Sequence, residues 1–205
     1  MRTKKVFVSD ETSMVLESMK NIDTTHVLYD SFYEQEVDED FHVHVSGNAK
    51  VFHSAEVYGN AEVYGDAKVF DKAVVLDDAR VYDKAMISGD AAVYGNAQVY
   101  GYAIINDEAM VYGSAEVFDS AMVYDNAEVF GNAIISDVAV IYVNAMVFGN
   151  AKVYDNAQVY GDARVYDNAE VCGEAEVGGN ARVSHNAIIS GEGLVAWFRL
   201  KTICY

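Results

Sequence analysis

The sequence predicts an all-β fold built as one repetitive rod, and three observations carry that expectation. A six-residue unit, commonly Ala-x-Val-Tyr-Gly-Asn, repeats without insertion: every sixth position from 45 to 195 is Val or Ile, 26 in all, and every sixth from 49 to 187 is Ala, 24 in all. Within each unit, four residues alternate inward apolar with outward side chains, the period of two that marks a strand. Pro is absent from all 205 residues, as required where nearly every strand lies between two neighbours and must donate its backbone N–H.

The last two residues of each unit make a corner. Gly or Asp fills the first corner position in 22 of 25 units, the exceptions being His53, Val143 and His185, and Asn or Asp dominates the second. These residue types tolerate turn and left-handed dihedrals. The 52% apolar content excludes a disordered polymer despite the low complexity.

The array, for example Val-Tyr-Gly-Asn-Ala-Glu at 57–62 and Val-Ser-His-Asn-Ala-Ile at 183–188, resembles the hexapeptide-repeat proteins, and most closely the Tyr-Gly-Asn-Ala-x-Val arrays of bacterial and phage proteins. The resemblance covers about three-quarters of the chain. It implies a left-handed parallel β-helix, three units per coil, forming a triangular prism of about eight coils and roughly 40 Å in length at ~4.8 Å per stacked strand. One Val or Ile and one Ala per unit would fill the interior, each buried Val contributing on the order of 1.5–3 kcal/mol.

Solenoid ends need covering, because an open coil exposes core and strand edge together. Residues 1–44 are expected to form a small α+β cap: 4–8 reads as a strand, Val15, Leu16, Met19 and Ile22 fall at helical spacing, and 28–45 reads as mixed extended structure. The expected β-helix occupies 45–195. Residues 196–205, with Trp197, Phe198, Leu200 and Ile203, are expected to cap the last coil or join a partner chain.

The net charge of −18 divides as −6 over 1–44, −14 over 45–195 and +2 over 196–205. An acidic rod disfavours ordinary binding to a phosphate backbone, and the carboxylates are read chiefly as keeping an aromatic-rich surface soluble. No run approaches the ~20 apolar residues of a membrane span, and 6–8 is too short for a signal-peptide core, so a cytoplasmic location without membrane partners is expected. Cys172 and Cys204 lack metal-ligand spacing and are expected to be reduced.

Units 18 residues apart should stack, so three outer faces can be written from the sequence. One carries Tyr58, Leu76, Tyr94, Tyr112, Phe130, Phe148 and Tyr166 beside Glu56, Val74, Ala92, Met110, Glu128, Met146, Arg164 and Arg182. A second carries Phe52, Phe70, Ser88, Asn106, Tyr124, Tyr142 and Tyr160 beside Lys50, Lys68, Met86, Ile104, Met122, Val140, Gln158 and Glu176. Both are apolar at mid-length. The third mixes Tyr64, Tyr82, Tyr100, Phe118 and Tyr154 with Glu62, Arg80, Gln98, Glu116, Lys152 and Glu170 and reads as solvated. Aromatic columns alone would follow from cross-strand stacking. The flanking Met, Ile and Val are not explained that way, since soluble monomers rarely leave a large contiguous apolar patch. The candidate interface residues are therefore Leu76, Tyr94, Met110, Tyr112, Phe130, Met146 and Phe148 on one face, Met86, Ile104, Met122, Tyr124, Val140 and Tyr142 on another, and Trp197 and Phe198 in the tail.

Catalysis finds little support in the residues. The resemblance includes acyltransferases that place a histidine near a subunit cleft with coenzyme A along the prism, often beside a looped-out segment; the uninterrupted array has no such loop. Of the histidines, His26, His42 and His44 precede the array and His53 and His185 stand at corners. His42, His44 and His53 do not match the three-ligand spacing of the zinc enzymes of this architecture. The glycine-rich nonapeptide of calcium-binding β-rolls is missing, as are the outward Thr ranks of ice-binding rods. The expectation is a non-enzymatic homo-oligomer, trimer or dimer, acting by protein binding or assembly, without cofactor or metal. The alternatives are a phage-type inhibitor of a host protein, as nucleic-acid mimic or nucleotide binder, and a coenzyme A-dependent acyltransferase.

Overall fold

The computed structural model describes residues 5–7, 43–191 and 193–196, the strands Lys5–Phe7 and Gly193–Ala196 by backbone alone. The expected helix at 15–22, the extended stretch at 28–42, His26, His42, Cys204 and the tail residues Trp197, Phe198, Leu200 and Ile203 lie outside the described residues.

Two-residue strands separated by two-residue turns recur every six residues and close into three sheets of nine strands each. The first sheet runs from Glu56–Tyr58 to Arg182–Val183, the second from His44–Val45 to Ile188–Ile189, and the third from Lys50–Val51 to Gly193–Ala196. Within each array the pairing is parallel with a register of 18: Val57 pairs with Val75, Val63 with Val81 and Val69 with Ile87. The molecule is an all-β parallel solenoid of about eight turns, with no helix among the described residues. Among the described residues there is accordingly no helix long and apolar enough to cross a membrane.

Register follows from the period. Each outward residue donates its N–H to the alanine carbonyl 17 residues on, as Glu62 to Ala79 at 2.9 Å, and each residue after the Val donates to the next coil's Val, as Tyr64 to Val81 at 3.0 Å. Every ladder group inside the stack is thereby paired. The core is the predicted one: the one inward Val or Ile and the one inward Ala of each unit from position 51 to position 183 are at most 1% exposed. Lys5–Phe7, within the strand expected at 4–8, runs antiparallel along Glu56–Tyr58 and adds an edge strand to the first sheet.

The corners are more uniform than their sequences. All 25 first corner positions have positive φ, including nine aspartates at 57–62° and the exceptional His53, Val143 and His185. Glycine adopts that region freely and Asp tolerates it, whereas a β-branched Val at +63° is a true outlier. Each of the nine aspartates also turns its carboxylate onto the next coil, where Oδ2 accepts the N–H of the corner residue 18 positions on. Asp155 to Gly173 is 2.9 Å, Asp167 to His185 3.0 Å and Asp77 to Gly95 3.1 Å. The expectation that corner acids serve chiefly solubility is thus incomplete, because these satisfy backbone donors that the turn leaves outside the ladder.

Second corner positions form their own ladders. The side-chain amides of Asn132, Asn150 and Asn168 donate in succession to Asn150, Asn168 and Asn186 at 3.1–3.2 Å. Asn48, Asn60 and Asn144 donate to Asp66, Asp78 and Asp162.

Candidate functional site: the outer faces

Because Ala and Val point inward, the residues flanking each Val point outward and stack with those 18 positions away. On the first sheet Tyr94, Tyr112, Phe130, Phe148 and Tyr166 form an unbroken column with ring centroids 4.8–5.1 Å apart and planes within 5°. Leu76, Met110 and Met146 lie half-buried on the same face. Glu128 interrupts its apolar row, and its carboxylate accepts the Tyr112 hydroxyl at 2.9 Å. Burial first, and then that hydrogen bond to Glu128, push the Tyr112 phenol well above its ordinary value.

The third sheet carries the longest apolar row. Met86, Ile104, Met122 and Val140 are adjacent in register and half-buried. Lys50 and Lys68 precede the block, while Gln158 and Glu176 follow it. Its aromatic column is broken: Tyr124, Tyr142 and Tyr160 stack at 5.2–5.3 Å, but the positions before them hold Ser88 and Asn106, whose side chains hydrogen-bond to each other at 2.8 Å. At 178 the column has no side chain, and the Tyr160 ring lies over the glycine.

The second sheet stacks Tyr64, Tyr82, Tyr100 and Phe118 at 4.8–4.9 Å. Its Tyr82 phenol is pushed up to about 12, by burial first and then by the adjacent phenols and acids. The solvated character expected of this face holds for Arg80 and Glu62, paired at 3.4 Å, and for Lys152 and Glu170 at 3.8 Å. Half-buried Ile134 sits between Glu116 and Lys152, an apolar position that the sequence reading passed over. Further along, Tyr154 meets the buried free thiol of Cys172. That contact, more than burial, raises the phenol.

Sequence reasoning also missed the margins. Four large apolar side chains are exposed among the described residues: Tyr102 at 59%, Val138 at 47%, Val143 at 37% and Ile188. The first three border the third sheet, Tyr102 and Val138 on the turn leading into it and Val143 on the turn leaving it. Each breaks the corner consensus, and that was the signal available to find them. Lys84 reaches Tyr102, its Nζ 2.9 Å from the hydroxyl and 4.8 Å from the ring centroid.

The corner histidines form no relay. His185 Nδ1 lies 2.9 Å from Ser184 Oγ and 3.7 Å from Asp167. Activation of a hydroxyl needs base and orienting acid on opposite ring nitrogens, and here both partners meet the same one. His53 Nδ1 lies 3.3 Å from Asp71. No group of three or more His, Cys, Asp or Glu side chains among the described residues is placed to hold a metal ion.

A family model described as the YdcK beta solenoid repeat matches residues 157–173 and 175–191. Those two stretches begin 18 residues apart, one turn each of the stack described above. The chain is a β-solenoid repeat protein. No curated protein and no solved structure matches the chain. What distinguishes one part of the solenoid from another is therefore its own departures from the repeat, and these concentrate on the third sheet's face and its two margins.

Proposed function

We propose that the solenoid is a left-handed, triangular β-helix of the hexapeptide-repeat kind that works without catalysis, by homo-oligomeric assembly and protein binding through its apolar mid-length faces. One observation carries this reading. Met86, Ile104, Met122 and Val140 form a continuous row on the third sheet, and Leu76, Met110 and Met146 flank the aromatic column of the first. The repeat requires only Val and Ala inside and would fold with polar residues at all these places, as it does at Glu62, Arg80 and Gln98. Apolar side chains there add exposure in a lone chain and gain only when covered.

Solution mass tests the reading. A particle larger than one 22.5 kDa chain is expected. Glutamate at Met122 and Val140, or at Met110, Phe130 and Met146, marks the contact by whichever set lowers the mass. A wild-type chain that stays at single-chain mass up to high micromolar concentration overturns self-assembly.

A further inference from the structure

Resting on that assembly reading, we propose that the third sheet's face pairs with a second copy of this chain about a two-fold axis lying across the rod, so that the two rods run antiparallel. The axis passes between the rows of Ile104 and Met122.

The apolar block fixes the register. Its four rows are symmetric about that midpoint, so Ile104 faces the partner's Met122 and Met86 faces the partner's Val140, and none of the four is left against a charge. Continuing outward in the same register, Lys68 meets Gln158 and Lys50 meets Glu176. A parallel pairing of the same faces, about an axis along the rod, would instead bring Lys50, Lys68 and Glu176 each to the same coil level as their own copies, across the width of the face. Like charges opposed across an interface suppress the wrong arrangement, so the charge order selects the antiparallel one.

Shape agrees with charge. An axis lying in the contact plane and crossing the rod keeps each aromatic column over its counterpart. Tyr142 then faces Ser88 and Tyr124 faces Asn106, so the two rings of one copy meet the two small positions of the other. The two places where this column carries no ring, joined to each other by the Ser88–Asn106 hydrogen bond, are the ones this operation sets against the partner's rings. At the margins the same operation brings the exposed Tyr102 onto the row of Ser120. Three of the four large exposed apolar side chains described, Tyr102, Val138 and Val143, border this face; Tyr102 and Val138 stand on the edge it shares with the second sheet and Val143 on the edge it shares with the first, so this is the face that all three border.

The area suffices. The eight strands that this register pairs, at ~4.8 Å and a width of about 16 Å, give roughly 600 Å² per copy, or about 1,200 Å² per pair, at the lower bound for a stable specific interface. The first sheet fits this role less well, because the equivalent operation there puts Glu128, already engaged by Tyr112, against Met110.

Charge exchange provides the test. One variant carries Lys50→Glu and Lys68→Glu, the other Gln158→Lys and Glu176→Lys. Sedimentation of each alone should show dimer dissociation strengthened by about tenfold or more, and an equal mixture should restore a dimer, since every altered pair is then complementary. The second variant lowers the chain's negative charge, so general repulsion between acidic rods predicts a tighter dimer where the proposed pairing predicts a weaker one. Either variant remaining fully dimeric, or a mixture that fails to recover, overturns the proposed interface. If the wild type is nonetheless an oligomer, assembly itself survives, while a monomeric wild type removes both. A second measurement does not depend on the charge variants folding: in a Cys204→Ser background, a short bis-maleimide should join a mixture of Lys50→Cys and Glu176→Cys chains but neither alone. Cross-linking of Lys50→Cys to itself would establish parallel pairing and refute the proposal.

Discussion

Substitution at Asp155 separates the two roles a corner aspartate performs. Its φ is +61°, and its Oδ2 accepts the Gly173 N–H at 2.9 Å, the shortest contact of its kind here. Asp155→Asn keeps a side-chain oxygen and a residue at ease in the left-handed region, so the loss should stay within about 0.5 kcal/mol. Asp155→Gly keeps the backbone freedom but removes the acceptor. That costs about 0.5–1.5 kcal/mol for the hydrogen bond, with about 0.5–1 kcal/mol more from the added entropy of the unfolded chain. Asp155→Ala loses the acceptor and must also hold a Cβ at positive φ, a further ~1–2 kcal/mol, giving about 1.5–3.5 kcal/mol in total. Urea unfolding at constant m-value reads these differences directly, and 1 kcal/mol corresponds to roughly 2–4 °C in Tm for a chain of this size. The expected order of stability is Asn, then Gly, then Ala. If Ala proves as stable as Asn, neither the hydrogen bond nor the backbone conformation matters at this corner, and the account of the corners fails.

Three further outcomes follow from the same geometry. Val143→Asn should raise the unfolding free energy from urea curves by about 1 kcal/mol, because it relieves a β-branched residue at φ +63° while leaving the N–H that donates to Asp125 in place; an unchanged or lower value counts against strain there. Ile105, fully buried, should lose about 0.5–1.5 kcal/mol on replacement by Val and about 2–5 kcal/mol on replacement by Ala, measured by the same unfolding curves; equal losses would mean the interior collapses around the gap. Alkaline pH should destabilise the fold. The folded Tyr82 phenol sits at about 12 against an ordinary 10.0, so between those values the folded state holds the proton that the unfolded state has released. Stability is then fully present below pH 10 and falls as pH rises toward 12, and a Tm that stays flat across that window contradicts the stacked, half-buried placement of these rings.

The period of six carried the fold because it is a geometric statement: one Val and one Ala inward per unit, with corners between, leaves few ways to pair backbone groups. The eighteen-residue register needed the three units per coil that the resemblance implies, and with it the stacking of Tyr94 on Tyr112 or Tyr64 on Tyr82 could be written from the sequence. The work of the corner carboxylates did not. Seeing that Asp77 reaches the N–H of Gly95 requires knowing that the turn directs that donor outward, out of the ladder and toward the coil before it. Composition shows a charge at a corner and suggests solubility; only the stacked corners show an acceptor above a donor. Ile134 was missed for a different reason, since a face averaged as polar conceals a single apolar row within it.

A repeat that satisfies its own backbone and core at every turn leaves selection no structural reason to prefer one outward residue over another, provided the stack stays soluble. Departures from the unit therefore carry the information about what the surface does. Asp for Gly at a corner is a departure with a structural cause, because it adds a hydrogen bond. Val138 and Val143 are departures without one, each an exposed apolar side chain in place of a turn residue, with backbone strain added at Val143; Tyr102 is as exposed, though its hydroxyl and ring are engaged by Lys84. Such costs fall where a second surface covers them. Their convergence on the two edges of the same sheet, around a charge-ordered apolar row and a column with two places left small, is what sets that face apart and what the proposed pairing rests on.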